Sequence, residues 1–240
     1  MINPKLAKKD KEYNILRKFI SHETHGLRIV NIEHSETPDF ILHELNKTIS
    51  VELTELRHQK LKQQESFQIK IVEAAWSKFR EKYNANIQVL VNFSHVPIKA
   101  NANEVKLYIK ELHDLVERIW LNNRDYEFRL TNMGRSRKRN HWIDSISVNN
   151  VLDIEYWQPF GAFKVDRIDP SWIKKVIEGK EAMLDKYQKT FTERWLLMVA
   201  NFGDKSSTHD IFFLDMSDLQ TKFDHVYLYK YMDNTYQKIK

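Results

Sequence analysis

Residues 38–54 run PDFILHELNKTISVELT. This stretch opens on a Pro-Asp pair followed by the apolar run 40–42, and a proline at that position is typical of the start of a strand. The run 48–53 is dominated by β-branched and apolar residues, which predicts a second strand. The Asn-Lys pair between the two runs predicts the turn of a β-hairpin.

Two carboxylates lie at corresponding ends of this hairpin. Asp39 precedes the first strand and Glu52 is near the end of the second, so antiparallel pairing would make the two residues neighbours. Neighbouring carboxylates repel each other unless a cation lies between them, and oxygen-rich acidic sites suit Mg²⁺ or Mn²⁺. The alternative is that Asp39 is a turn residue and Glu52 a solvated strand residue. Glu52 lies in an otherwise apolar run, however, and a carboxylate there requires a partner.

Apolar periodicity predicts the remaining elements. In chain order they are a helix over 5–23, a strand over 27–32, the hairpin, a helix over 63–83, a strand over 86–93, a helix over 102–121, several strands between 124 and 168, a helix over 171–188, and strands over 195–200 and 226–229. This order predicts an α/β protein with a mixed central sheet flanked by helices. We expect a single domain over 1–240, in which 5–93 form the core and 94–240 add helices and strands that complete or decorate the sheet.

Composition narrows the class of protein. The 240 residues include no cysteine, which excludes disulfides, zinc ribbons and thiol catalysis. No apolar run approaches the ~20 residues of a membrane span, and the N-terminal residues do not resemble a signal peptide, so we expect a cytoplasmic protein with no membrane partner. The net charge of +5 favours a polyanionic partner such as nucleic acid. Mild basicity that serves only solubility is the alternative.

The order helix, three strands, helix, strand, with Pro-Asp39 and then Glu52-x-Thr54, resembles the PD-(D/E)XK nuclease superfamily and its restriction-endonuclease-like core, here with a C-terminal α/β elaboration. The resemblance covers 10–93. A second patch, Ile177-x-x-Lys180 to Tyr187 followed by residues 195–197, resembles the late helix and strand of bacterial relatives in this superfamily.

The resemblance implies that Asp39 and Glu52 bind Mg²⁺ or Mn²⁺ and are catalytic. It also implies a glutamate on the first helix, for which Glu12 is the match because it precedes the apolar face by one turn. Glu23 is a second candidate.

The chain departs from that family at one position, because the lysine expected two residues after Glu52 is Thr54. Some members of the superfamily supply this lysine from the following helix instead. Lys70 is the preferred candidate for the catalytic lysine, with Lys60 and Lys62 as others. The alternative is that Lys70 is an ordinary surface lysine whose stem covers apolar residues.

A basic segment is a separate candidate for binding nucleic acid. Residues 134–141 run GRSRKRNH, with four cations and no acid, which is typical of a loop that contacts phosphates. The candidate residues are Arg135, Arg137, Lys138 and Arg139. A solvated tip between two strands is the alternative.

Three functions remain open from the sequence. The first is a metal-dependent nuclease that hydrolyses phosphodiester bonds, with DNA favoured over RNA. The second is a non-catalytic module on the same fold that binds nucleic acid or protein, which the Thr54 substitution favours. The third is a structural or assembly protein whose acidic pair is incidental. The sequence does not set the oligomeric state.

Overall fold

The computed structural model describes residues 4–23, 28–94, 101–133, 142–212 and 214–240. These ranges fold as an α/β protein. In chain order its elements are α1 (Pro4–Glu23), β1 (Ile29–His34), β2 (Phe40–Glu44), β3 (Thr48–Glu55), α2 (Gln59–Lys82), β4 (Gln88–Phe93), α3 (Ala102–Asn123), β5 (Arg129–Met133), β6 (Ile143–Asn149), β7 (Tyr156–Pro159), α4 (Pro170–Leu184), β8 (Glu193–Ala200), β9 (His225–Lys230) and β10 (Thr235–Lys238). Among the helices of these ranges, none is both long and apolar enough to cross a membrane.

The chain forms two compact units. Met1–His58 and Val165–Lys240 make up the first, which we call the split unit. Gln59–Lys164 make up the second, which we call the inserted unit because it is one continuous segment between β3 and α4. The predicted carboxylate pair, Asp39 and Glu52, therefore belongs to the split unit.

The split unit is built on a six-stranded mixed sheet in the order β1-β2-β3-β8-β9-β10. The central strands β3, β8 and β9 run parallel, and the outer pairs are antiparallel. Residues 195–200 of β8 are all buried. An unbroken buried run of this kind is what a central parallel strand requires when helices cover both faces of its sheet.

The two helices of the split unit lie on opposite faces of this sheet. Ile15, Leu16 and Phe19 of α1 share one buried core with Ile49, Val51 and Leu53, the odd-numbered residues of β3. Ile173 and Ile177 of α4 share a different core with the even-numbered residues of β8. Because side chains alternate along a strand, the even-numbered residues of β3 face α4.

The start of α4 is fixed by local sequence. Asp169 is the N-cap, and its side chain accepts hydrogen bonds from both the backbone N–H (2.8 Å) and the hydroxyl (2.8 Å) of Ser171. Pro170 occupies the first helical position, where its missing N–H costs nothing. This helix leads directly into the parallel strand β8, so β3, α4 and β8 form the crossover unit of the split sheet.

The inserted unit has a four-stranded mixed sheet in the order β5-β6-β4-β7. Both of its helices share a core with one face of this sheet: Ile71 and Phe79 come from α2, Leu112 and Val116 from α3, and Val89 from the central strand. On the opposite face, at the end of the ladder between β4 and β6, the side-chain amide of Asn149 donates to the Oε1 of Gln88 at 2.8 Å.

The architecture confirms the predicted α/β class and corrects the prediction of one central sheet. The predicted helix over 63–83 and strand over 86–93 correspond to α2 and β4, and β4 pairs with β6 and β7 in the sheet of the inserted unit. The strand beside β3 is instead β8, reached through α4. The prediction that residues 5–93 form the core is therefore wrong for α2 and β4, which belong to the inserted unit.

Candidate functional site

Glu52 is a buried carboxylate in the centre of the split sheet. It is 5% exposed and pairs in register with Leu196 of β8. Both residues lie on the face that α4 covers. A carboxylate in such a position is unfavourable unless charged or hydrogen-bonding partners compensate it.

The register of the hairpin makes Asp39 a spatial neighbour of Glu52. The register pairs Phe40 with Val51, so Asp39, one residue before Phe40, lies across from Glu52, one residue after Val51. The Oδ2 of Asp39 accepts a hydrogen bond of 2.9 Å from the backbone N–H of Leu53. This bond fixes one carboxylate oxygen beside β3.

Lys180 of α4 joins the two carboxylates. Its Nζ lies 2.8 Å from the Oε2 of Glu52 and 3.8 Å from the Oδ2 of Asp39. The convergence that the hairpin predicts is therefore present, with an ammonium group as the shared cation. Positive charge between two neighbouring carboxylates offsets their mutual repulsion.

Tyr187, just beyond α4, contacts the other oxygen of Glu52. Its hydroxyl donates to the Oε1 of Glu52 at 3.0 Å. Burial, and then the negative charge of Glu52, raise the pKa of Tyr187 well above its usual value. The hydroxyl therefore keeps its proton and acts as a donor, and both oxygens of Glu52 have a partner.

The position of Lys180 follows from the apolar stripe of α4. Ile177 and Leu184 are buried against the sheet, and Lys180 is three residues after the first and four before the second. Residues at those spacings share one helix face, so Lys180 must point towards β3. A lysine inside an apolar stripe is the signal in the sequence for this residue. The resemblance includes the segment from Ile177 through Lys180 to Tyr187 but assigns the catalytic role to Lys70.

Within the described residues, neither Glu12 nor Lys70 takes part in the hydrogen bonds and ion pairs of Asp39 and Glu52. Glu12 is on α1, which packs on the opposite face of the sheet from Glu52, and it pairs with Lys8 at 3.4 Å. Lys70 is exposed on α2 and belongs to the inserted unit, as do Lys60 and Lys62. Lys180 is the lysine that contacts the two carboxylates.

Glu23 and the basic segment are the remaining candidates. Glu23 is the last residue of α1. The basic segment with Arg135, Arg137, Lys138 and Arg139 lies outside the described residues, so phosphate binding by this segment stays a prediction.

A second group of possible metal ligands occurs on α3 of the inserted unit. His113, Asp114 and Glu117 offer ligand atoms within 4.8 Å of one another. Both carboxylates already have cationic partners, because Lys110 lies 2.6 Å from Asp114 and Lys82 lies 3.0 Å from Glu117. A metal ion here would have to displace both ion pairs, as a metal ion at Asp39 and Glu52 would have to displace Lys180.

His209 of the split unit is a buried histidine that contacts two other rings of the same unit. The ring of His209 is 5.1 Å from those of His58 and Trp172, which stack on each other at 4.5 Å. Burial, and then the positive charge of His58, lower the pKa of His209 to about 4. His209 is therefore neutral in the folded protein at neutral pH.

This histidine predicts a loss of stability in acid. The folded-state pKa lies below the ordinary value of 6.5, so the unfolded chain takes up a proton that the folded chain refuses. The stability contribution is complete above pH 6.5 and falls as the pH drops towards 4, by about 3 kcal/mol in total. Denaturant unfolding of His209→Gln at several pH values should show a flatter acid dependence than the wild type. The exposed His22→Gln serves as control, and equal slopes for all three proteins would contradict the assignment.

Comparison with known protein families, with curated proteins and with solved structures finds no match for this chain. The function of the site therefore has to be inferred from its chemistry. Its oxygen donors, one from Asp39 and one from Glu52, fit a hard divalent cation such as Mg²⁺ or Mn²⁺. The adjoining lysine adds a mobile donor that can hold water or a phosphate oxygen.

Proposed function

We propose that this protein is a metal-dependent hydrolase of phosphodiester bonds in nucleic acid, with DNA favoured over RNA. Asp39 and Glu52 bind Mg²⁺ or Mn²⁺, and Lys180 positions the attacking water. The observation that carries the proposal is the approach of one lysine to two carboxylates on the same face of the sheet. The site thus has the acid, acid and lysine composition of the resembled superfamily, with the lysine supplied by α4 rather than by position 54.

Asp39, Glu52 and Lys180 have different roles in the proposed hydrolysis. A divalent cation, when bound, polarises the phosphate and makes bound water more acidic. Glu52 and Asp39 supply the negative charge that holds it. Lys180 donates hydrogen bonds from a flexible stem, so it can orient a water molecule for attack and balance negative charge on the phosphate. Because Glu52 is buried, bulk water screens its charge less than it screens the charge of an exposed carboxylate.

The distribution of charge supports a polyanionic substrate. The inserted unit carries 17 Lys and Arg against 12 Asp and Glu, so it holds the whole net charge of +5. The split unit balances 21 cations against 21 anions. A net positive charge of this kind attracts the phosphate backbone of a nucleic acid substrate.

The proposal is tested by incubating the full chain with single-stranded DNA, double-stranded DNA and RNA, each with Mg²⁺ or with EDTA. We expect cleavage of at least one substrate with Mg²⁺ and none with EDTA. Asp39→Asn should remove the activity although it can keep the hydrogen bond from Leu53, because the neutral amide no longer helps to hold the cation. The exposed Asp218→Asn is the control with the same charge change.

Millimolar Mn²⁺ should also raise the melting temperature of the wild type, since a ligand that binds the native state stabilises it. Binding of nucleic acid and of Mn²⁺ without cleavage would favour the non-catalytic module. Cleavage that persists in Asp39→Asn, or a melting temperature that Mn²⁺ does not change, would overturn the proposal.

A further inference from the structure

Glu52 is the centre of the site, and its two oxygens have different partners. Oε2 faces the ammonium of Lys180 at 2.8 Å, and Oε1 accepts from the hydroxyl of Tyr187 at 3.0 Å. A cation held by Oε2 of Glu52 and by Asp39 would compete with this ammonium, which lies 2.8 Å from Glu52 and 3.8 Å from Asp39. The two partners of Glu52 then respond differently to the same event.

Lys180 is positively charged and is repelled by a divalent cation that arrives beside it. Its long stem allows it to swing aside and remain near the site. Tyr187 is neutral, so no comparable repulsion displaces it from Oε1. The hydroxyl of Tyr187 is thus the partner that Glu52 retains when the cation is bound.

The surroundings of Tyr187 hold this hydroxyl in place. Its backbone N–H donates to the carbonyl of Leu184 at 3.1 Å, which ties it to the last turn of α4. The ring of Phe191 packs edge-on against the ring of Tyr187, with centroids 5.6 Å apart. A donor fixed in this way orients the carboxylate that accepts from it.

We propose that Tyr187 is a positioning residue that holds Oε1 of Glu52 and so presents Oε2 to the divalent cation. The inference rests on the proposed function of Asp39 and Glu52. Hydrogen-bond partners that orient a metal ligand typically contribute 10- to 100-fold to metal affinity. Tyr187 lies 135 residues from Glu52 in the sequence, and the spacing of the hairpin motif does not point to it.

The test is the affinity of the full chain for Mn²⁺, measured by isothermal titration calorimetry without nucleic acid. Tyr187→Phe removes only the hydroxyl and should raise the dissociation constant about tenfold. Tyr187→Met repeats the test with a flexible side chain. The matched control is Tyr229→Phe on β9. It removes a hydroxyl that donates to the Oδ1 of Asn234 at 2.7 Å. This control should leave Mn²⁺ affinity unchanged.

The outcomes separate this inference from the proposed function. If the wild type binds Mn²⁺, Glu52→Gln does not, and both Tyr187 variants bind as the wild type does, the role of Tyr187 is overturned and the metal site stands. Equal weakening by Tyr187→Phe and Tyr229→Phe also overturns it, since the cause would then be a general loss of stability. If the wild type binds no Mn²⁺, or Glu52→Gln binds it equally well, the proposed function fails and the role of Tyr187 fails with it.

Discussion

Glu52→Gln should reduce Mg²⁺-dependent cleavage about 1000-fold, the upper end of what one electrostatic group contributes to a preorganised site. The substitution preserves the shape of the side chain but removes its charge. It also brings an amide N–H₂ group within reach of the Lys180 ammonium and the Tyr187 hydroxyl, which are both donors. The rate of cleavage under single-turnover conditions measures the effect on the chemical step.

Glu44→Gln is the matched control, because Glu44 ends the neighbouring strand and the charge change is the same. Glu44 accepts from the backbone N–H of Arg28 and pairs with Lys47. The control should cleave at the wild-type rate. If Glu52→Gln cleaves within tenfold of the wild type, the carboxylate does not hold the cation required for the reaction.

Lys180→Met should lower both the free energy of unfolding and the rate of cleavage. Added metal should recover the first loss but not the second. In EDTA the variant should lose about 3 kcal/mol in free energy of unfolding, because Glu52 is left buried without its cationic partner. Saturating Mn²⁺ should recover much of this loss, since a bound cation then neutralises the carboxylates. Cleavage should stay at least 100-fold below the wild type even with metal, because the group that positions water is gone. Urea unfolding with and without Mn²⁺ measures the first effect.

Lys174→Met is the control for the lysine substitution. Lys174 lies on the same helix, and its ion pair with Asp218 at 2.7 Å is on the surface, where such pairs contribute little. Its stability should change by less than about 1 kcal/mol with or without metal. Full cleavage by Lys180→Met would show that another group positions the water, and an equal loss of stability with and without Mn²⁺ would place the cation elsewhere.

The hairpin with its two carboxylates could be predicted from the sequence because its determinants are local. A Pro-Asp pair, a turn and two apolar runs fix which residues lie opposite each other, and the register follows within one ladder. The observed pairing of Phe40 with Val51 places Asp39 and Glu52 where that reasoning expects them. Residues 38–54 alone were sufficient for this part of the site.

The lysine could not be assigned in the same way because it is distant in sequence. Lys180 is 128 residues from Glu52, and the whole inserted unit lies between them. The sequence predicts Lys70 as the catalytic lysine because α2 is the first helix after β3. Some members of the resembled superfamily supply the lysine from that helix. The apolar stripe of α4, broken by Lys180, was a weaker signal than adjacency along the chain.

The division into two sheets has a similar cause. α2 with β4, and α4 with β8, are both amphipathic helices followed by buried strands. Periodicity identifies each pair correctly but does not state which sheet a strand joins, since an apolar strand can pair with any exposed edge of suitable length. Tertiary packing decides this, and it places β4 against β6 and β7.

The most direct measurement is a crystal structure of the wild-type protein with Mn²⁺, using the anomalous signal of the metal to locate it. We expect one strong peak between Asp39 and Glu52, about 2 Å from an oxygen of each. The ammonium of Lys180 should have moved away from Oε2, and the hydroxyl of Tyr187 should still donate to Oε1. A peak at His113, Asp114 and Glu117 instead, or no ordered Mn²⁺ beside β3 at millimolar concentration, would contradict the proposed metal site.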